Sequence, residues 1–435
     1  METTNLFNYG KDIFEVICAQ TTLLEAFRAV KRNKGSPGVD GVTIEEFEAN
    51  LLEETAQLSK ELLSWCYKTR PVKSVQIPKP GTNQTRELGI PCTRDRVVQA
   101  AIKLVLEPKL DPLFSESNFG FRPGKSQRDA LEFARKSVEG GKEWCVDIDL
   151  AKFFDTIPQD RLIYRLSLII PDKRVLRLVG ITLRSGILRG YEVEETAQGT
   201  TQGSPLSPLL SNVVLDELDK ELEKRKLSFA RWADDCNIFV KSQKAAERVM
   251  ESITKFIEKK LKLKVNKEKS KVALTKHVKF LGMTIVAGTL AIAKKSLVRA
   301  REKLREIIPR NGGTSVEQTL EKFNIWYTGW AQYFAMTYYP SQFKSIEAHA
   351  RRRLRARIIK NCKRRKYLFR KLREAGASRT IARKAAYARK GPWALSGSPL
   401  HNILNVDWFI NKGQKIFSDK QLSHWFHTNK WIALI

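Results

Sequence analysis

The sequence is poor in the residues that make metal cages, disulfide frameworks and membrane spans. Its six cysteines are scattered at 18, 66, 92, 145, 236 and 362, with no Cys-x-x-Cys spacing. That argues against a disulfide scaffold and a structural zinc site, and fits a reducing compartment. Five histidines are too few and too scattered for a zinc cluster. His424 and His427 lie one helical turn apart, but lack neighbouring ligands. No run of 18 apolar residues and no charged-then-apolar leader occurs, so a cytoplasmic protein with no membrane partner is expected. Internal repeats and low-complexity linkers are absent too. The residues most in deficit are acids, with 47 Asp and Glu against 78 Lys and Arg, a formal charge of +31.

Such an excess points to a polyanionic partner, most commonly nucleic acid, although a merely soluble basic protein has the same balance. The 435 residues, 42% of them hydrophobic, suffice for two or three packed domains. The charge is concentrated: residues 351 to 390 hold 18 Lys and Arg and one acid, Glu374. A stretch that dense repels itself without a counter-charge, which phosphate backbone would supply.

Periodicity predicts helices over about 11–33, 43–69, 93–108 and 126–138, with a turn-rich loop from Lys34 to Gly41. Short strands are expected at Val75–Pro78 and Trp144–Leu150. A further helix follows Gly203-Ser204-Pro205-Leu206-Ser207-Pro208 and runs to about Arg225, where prolines suit a first turn. Another helix near 243–261 and strands around 271–292 come next. Beyond about 290 the chain reads as helical and basic (294–309, 314–334, 341–361), with Thr314 and Glu317 forming a capping box. That shift marks the expected domain boundary.

The scarce acids are placed suggestively. Asp234-Asp235 interrupt an apolar run from Phe229 to Val240 that reads as strand, tight turn, strand. Adjacent aspartates are often just turn formers. Asp149 ends a second predicted strand, where it could equally cap the next segment. Joining a nucleotide to a 3′-hydroxyl needs two magnesium ions about 4 Å apart, held by few carboxylates plus phosphate and water. Two or three aspartates on neighbouring strands would meet that need.

The blocks Asp149-Leu150-Ala151-Lys152-Phe153-Phe154-Asp155, Thr201-Gln202-Gly203-Ser204-Pro205-Leu206-Ser207-Pro208 and Trp232-Ala233-Asp234-Asp235 come in the order seen in reverse transcriptases. With Lys34 to Gly41, Ile77 to Pro80, Asp95 to Gln99, Phe119 to Gly124, Phe280-Leu281-Gly282, Gly329 to Phe334 and Arg389 to Trp393, the chain closely resembles the group II intron reverse transcriptase/maturase family. The resemblance covers nearly the whole chain. It implies an α/β (α+β) right-hand polymerase with fingers and an antiparallel palm sheet over 1–290, and a helical thumb/maturase region over 291–375. A basic nucleic-acid-binding segment over 376–435 would come after it.

By the same resemblance, Asp149, Asp234 and Asp235 are catalytic and hold two Mg2+ ions. Lys79 and Arg86 would bind the dNTP triphosphate, as charge on phosphate requires, and Gln202 would pack on the nucleotide. Phe154 would press on the 2′ position of the sugar and exclude ribonucleotides. Family members usually carry Tyr where Trp232 stands and Pro where Thr201 stands. Trp232 keeps a ring able to pack on the primer end, but an indole only donates. Intron RNA would be held by Arg351, Arg352, Arg353, Arg355, Arg357, Lys363, Arg364 and Arg365, reading phosphates and shape. The cluster Trp326, Tyr327, Trp330, Tyr333 and Phe334 reads mainly as thumb core.

Some family members append an endonuclease domain with His and paired Cys. The resemblance here is to the type lacking it, without zinc. The expected partners are therefore group II intron RNA, an RNA template, a DNA primer or target and dNTPs. The expected role is splicing assistance and copying of the intron into DNA during retrohoming. A splicing-only maturase, or a relative repurposed for defence or repair, stays open at this point, as does the oligomeric state.

Overall fold

The chain divides into two units, Met1–Leu274 and Thr275–Ile435. The computed structural model describes residues 12–78, 85–397 and 400–416.

The first unit holds two four-stranded sheets. One is built from Val72–Pro78 (β1), Thr85–Ile90 (β2), Ile187–Arg189 (β4) and Glu192–Glu194 (β5), in the order β2-β1-β4-β5. The other is wholly antiparallel: Trp144–Ile148 (β3), Ser228–Trp232 (β6), Asp235–Val240 (β7) and Lys271–Leu274 (β8), in the order β6-β7-β3-β8. Directly paired residues share a face. Val146, Ile148, Phe229, Cys236, Ile238 and Val240 therefore point one way, into the main core. Helices Ser207–Lys224 and Gln243–Phe256 contribute Leu210, Val214, Leu218, Ala246 and Ile253 to that core. Cys145, Asp147, Asn237 and Ala230 face the opposite way.

The helix-rich remainder matches the periodic expectation, with local breaks. The helix expected over 11–33 is two, Ile13–Cys18 and Gln20–Arg32, parted at extended Ala19. The one expected over 43–69 is Ile44–Ala49 and Leu51–Leu63, the first opened by a Thr43–Glu46 capping box. Helices Gln159–Ser167 and Lys173–Leu183 and the β4–β5 hairpin were not foreseen. Three-residue strands are too short to display alternation.

In the second unit, Met283–Val286 (β9) and Thr289–Ile292 (β10) form a hairpin. Helices Lys294–Ile307, Val316–Tyr333, Pro340–Asn361, Arg365–Glu374 and Arg379–Ala386 come next. The compositional break near 290 thus lies some way past the structural one. The reason is that the hairpin packs with the helical segments C-terminal to it: Gln342 Oε1 accepts from Ile292 N at 2.9 Å, and Tyr338 N donates to Leu290 O at 2.8 Å. The capping box expected at Thr314 and Glu317 forms one residue on, between Ser315 and Gln318. Among the described residues, no helix is long and apolar enough to cross a membrane.

Candidate active site

Trp232 pairs with Asp235 across β6 and β7, leaving Ala233 and Asp234 as a two-residue connection. Ala233 takes φ +57°, the sign that primed hairpin turns require at their first position. Asp235 is therefore the first residue of a strand, while Asp234 stands on the turn. Ile148 pairs with Cys236 on the other side of β7, so Asp149 emerges beside Asp235 on the face away from the core. Register alone thus brings Trp232, Asp235 and Asp149 into one row, with Asp234 above it.

These acids feel one another. Burial pushes the Asp235 carboxyl up to about 8, helped by Asp147, Asp234 and Asp149, against the pull of the Asn237 hydrogen bond. Asp234 is also raised, chiefly by burial and then by Asp149, against the pull of Lys269 and Arg231. Asp149 is anchored by its backbone: its N–H donates to Ser270 Oγ at 3.0 Å, and its carbonyl accepts from Asn266 N at 2.8 Å. Its carboxylate lies 3.6 Å from Lys269 Nζ. Asn237 Nδ2 donates to Asp235 Oδ1 at 2.9 Å, and its own Oδ1 accepts from the Cys145 thiol at 3.1 Å.

Carboxylates kept together at an energetic cost suit a cation as their counter-charge. The donors are all hard oxygens on neighbouring strand ends, the chemistry magnesium prefers. Among the described residues no three His, Cys, Asp or Glu side chains gather as a ready cage. Sequence reasoning passed over Asp147, Asn237 and Lys269 as site residues. Alternation along β3 and β7 was the available signal for the first two. Lys269 comes from the loop before β8 and left none.

The same unit holds a cleft of about 710 Å³, lined by Arg86, Phe154 and Gln202 together with Arg96, Lys103 and Phe121. Three of the four residues expected to contact the nucleotide therefore line one cleft. The fourth, Lys79, lies outside the described residues, as do His424 and His427. Arg86 is exposed on β2, opposite Ile77. Gln202 is held by its backbone, its carbonyl accepting from Gly89 N at 2.8 Å. The next residue must be glycine: Gly203 has φ +116°, and a Cβ there would stand 2.4 Å from the Gly89 carbonyl oxygen. Phe154 is half-buried with its edge to Phe153. Thr201 keeps the turn by accepting from Ser207 Oγ at 2.8 Å through its carbonyl.

In the second unit the structure corrects four of the eight expected RNA contacts. Arg351, Arg353, Arg355 and Arg357 are buried. Arg353 donates twice to Ile308 O, Arg355 to Leu404 O at 2.8 Å, and Arg357 to Thr314 O and its hydroxyl. Arg351 lies by Glu347 and Gln414. Helix Pro340–Asn361 is the buried centre of its unit, so its guanidinium groups satisfy carbonyl oxygens at loops and helix ends. Arg352 lies over the Trp393 ring at 4.3 Å. Lys363, Arg364 and Arg365 are exposed. Of the aromatic cluster, Tyr327 and Phe334 are core, whereas Tyr333 is 49% exposed.

Comparison with known proteins agrees. The family described as "Reverse transcriptase (RNA-dependent DNA polymerase)" matches residues 77–285, and "Group II intron, maturase-specific domain" matches 297–376. Protein YkfC of Escherichia coli (strain K12) is 31% identical over 300 residues, 60% of this chain and 78% of its own length. Group II intron-encoded protein LtrA of Lactococcus lactis subsp. cremoris is 32% identical over 206 residues, 47% of this chain. That match spans 34% of the Lactococcus protein, about a third of its length. A reverse transcriptase domain carries a divalent-metal requirement, which the carboxylates above suit. The chain belongs to the group II intron-encoded reverse transcriptase/maturase family and is a reverse transcriptase, an RNA-directed DNA polymerase.

Proposed function

We propose that the protein binds its parent group II intron RNA, assists its splicing and copies it into DNA during retrohoming. The observation that carries the polymerase chemistry is the grouping of Asp149, Asp234 and Asp235 at adjoining strand ends, in the unit that also holds a cleft lined by Arg86, Phe154 and Gln202. Asp149 and Asp234 would hold two magnesium ions, with Asp235 in support; when bound, these would supply Lewis-acid activation of a primer 3′-hydroxyl and charge stabilisation at the leaving oxygen. Asn237 orients Asp235, and the backbone partners of Asp149 fix its approach. Arg86 presents a planar fork to the triphosphate. The Phe154 ring stands against the sugar and excludes a 2′-hydroxyl, while Gln202 packs on the nucleotide and Trp232 supports the primer end. On the second unit, exposed Lys363, Arg364 and Arg365 offer charge to intron RNA phosphates.

The test is primer extension on an RNA template with magnesium and dNTPs. Asp234→Ala should abolish DNA synthesis and leave binding of group II intron RNA intact. DNA synthesis that persists in Asp234→Ala at the wild-type rate would remove the acids from the mechanism. Phe154→Ala should admit ribonucleotides, and continued exclusion of them would move the sugar discrimination elsewhere.

A further inference from the structure

Arg231 is among the largest side chains in the chain with no solvent exposure at all. It sits on β6 immediately before the turn that carries Asp234. Its Nε and Nη2 donate to the two carboxylate oxygens of Asp219 at 2.7 and 2.5 Å. The remaining nitrogen, Nη1, donates to Asn212 Oδ1 at 3.1 Å and to the carbonyl of Ala233 at 2.9 Å. Asn212 and Asp219 are two turns apart on helix Ser207–Lys224, so both present to the same place. The amide of Asn212 reaches on to Gly120 O at 2.9 Å. The segment around Gly120 clasps β6 in turn: Arg231 N donates to Ser117 O and Phe119 N to Arg231 O, both at 2.9 Å. A Cβ on Gly120 would lie 2.2 Å from Ala233 N.

A buried ion pair needs a reason. Replacing both partners by apolar residues commonly leaves stability unchanged, so stability alone does not call for this one. What the guanidinium supplies and an apolar pair cannot is a donor aimed at the carbonyl of Ala233. That alanine holds a left-handed conformation that L-residues disfavour, at the residue before Asp234. The planar fork also has the geometry to meet a carboxylate and a carbonyl at once, which an ammonium lacks.

We infer that Arg231 is a positioning residue for DNA synthesis: clamped by Asp219 and Asn212, it grips the Ala233 carbonyl and sets the turn that aims Asp234 at the reacting centre. It acts through the turn and touches no substrate. The inference rests on the polymerase reading above and adds a residue to it.

Two variants test it, Arg231→Met/Asp219→Leu and Arg231→Lys. The first removes both charges together, and the second retains the charge without the fork. Each is measured by thermal melting, by steady-state primer extension on an RNA template, and by Mn2+ titration of the free protein followed by electron paramagnetic resonance. The expected result is a folded protein whose kcat falls on the order of 10²-fold at a dNTP KM changed less than about threefold, the pattern of a misplaced catalytic group. Mn2+ affinity should fall on the order of 10-fold, as for loss of a group orienting a metal ligand. Wild-type kcat in a folded Arg231→Lys or double variant overturns the inference, as does a loss of kcat that only tracks the folded fraction. Should the double variant not fold, Arg231→Lys decides alone. Absence of primer extension by the wild type sinks the polymerase reading instead, and absence of Mn2+ binding by the wild type counts against its metal assignment, leaving kcat against KM to judge Arg231.

Discussion

Both units bury arginine, but against different partners. In the first unit Arg231 is enclosed with a carboxylate of its own, Asp219, while among the described residues the three acids nearby share no comparable buried cation. In the second unit Arg353, Arg355 and Arg357 are enclosed against neutral carbonyl oxygens. The difference separates a site from a scaffold. Where acids are buried side by side without a partner cation, as at Asp235, burial and mutual repulsion raise the carboxyl, which suits the proposed site. Where buried guanidinium groups donate to carbonyl oxygens of other segments, they tie those segments together, and a basic sequence need not mean a basic surface.

The largest effect that could break this contrast is at Asp149. Asp149→Ala should lower primer extension on the order of 10³-fold while the melting temperature stays put, because the loss is of charge stabilisation and not of packing. A variant that loses stability in step with activity would make Asp149 part of the scaffold. Gly120→Ala comes next. The added methyl meets the Ala233 backbone, so it should cost about 1–3 kcal/mol by overpacking and lower activity beyond that loss. Normal activity in a folded Gly120→Ala protein would show that the turn tolerates displacement.

The scaffold side is sharpened by Arg353→Ala. Two donors to Ile308 O and a long buried stem disappear, which should cost about 2–4 kcal/mol in denaturant unfolding. RNA affinity of the folded fraction should be unchanged. Weaker RNA binding at unaltered stability would return Arg353 to the contacts first expected of it. Neutralising Lys363, Arg364 and Arg365 together should do the reverse. Stability should move by less than about 0.5 kcal/mol, and the salt dependence of RNA binding should flatten by roughly one unit of slope for each phosphate no longer neutralised.

These pairs show what sequence can and cannot disclose. The Asp-Asp hairpin was legible because a two-residue break in an apolar run has few other readings. Asp149 was legible as the end of an alternating strand, and family order then put both on one sheet. The reading of Arg351, Arg353, Arg355 and Arg357 as RNA contacts failed for a physical reason. A helix with arginine at nearly every other position has no polar face, so it cannot turn them all to solvent, and periodicity does not reveal which carbonyl oxygens await a donor. Arg231 was visible as a letter in the Arg-Trp-Ala-Asp-Asp run. Its role depends on Asp219, Asn212 and Gly120, whose approach is set by tertiary packing. Lys269 likewise meets Asp149 across 120 residues of chain.

The smallest effect is expected at Trp232. Its ring is half-buried in the same row as Asp235, and it meets the turn through its backbone pairing with Asp235. Trp232→Tyr retains an aromatic plane and exchanges an indole that only donates for a hydroxyl that can also accept. Primer extension should therefore change by no more than roughly threefold, about 0.7 kcal/mol of barrier, with any difference appearing in misincorporation counted by sequencing the products. An inactive wild type brought to life by Trp232→Tyr would reverse that assignment: the indole would then be an obstruction at the primer end, and the row of acids would be intact but unable to receive a 3′-hydroxyl.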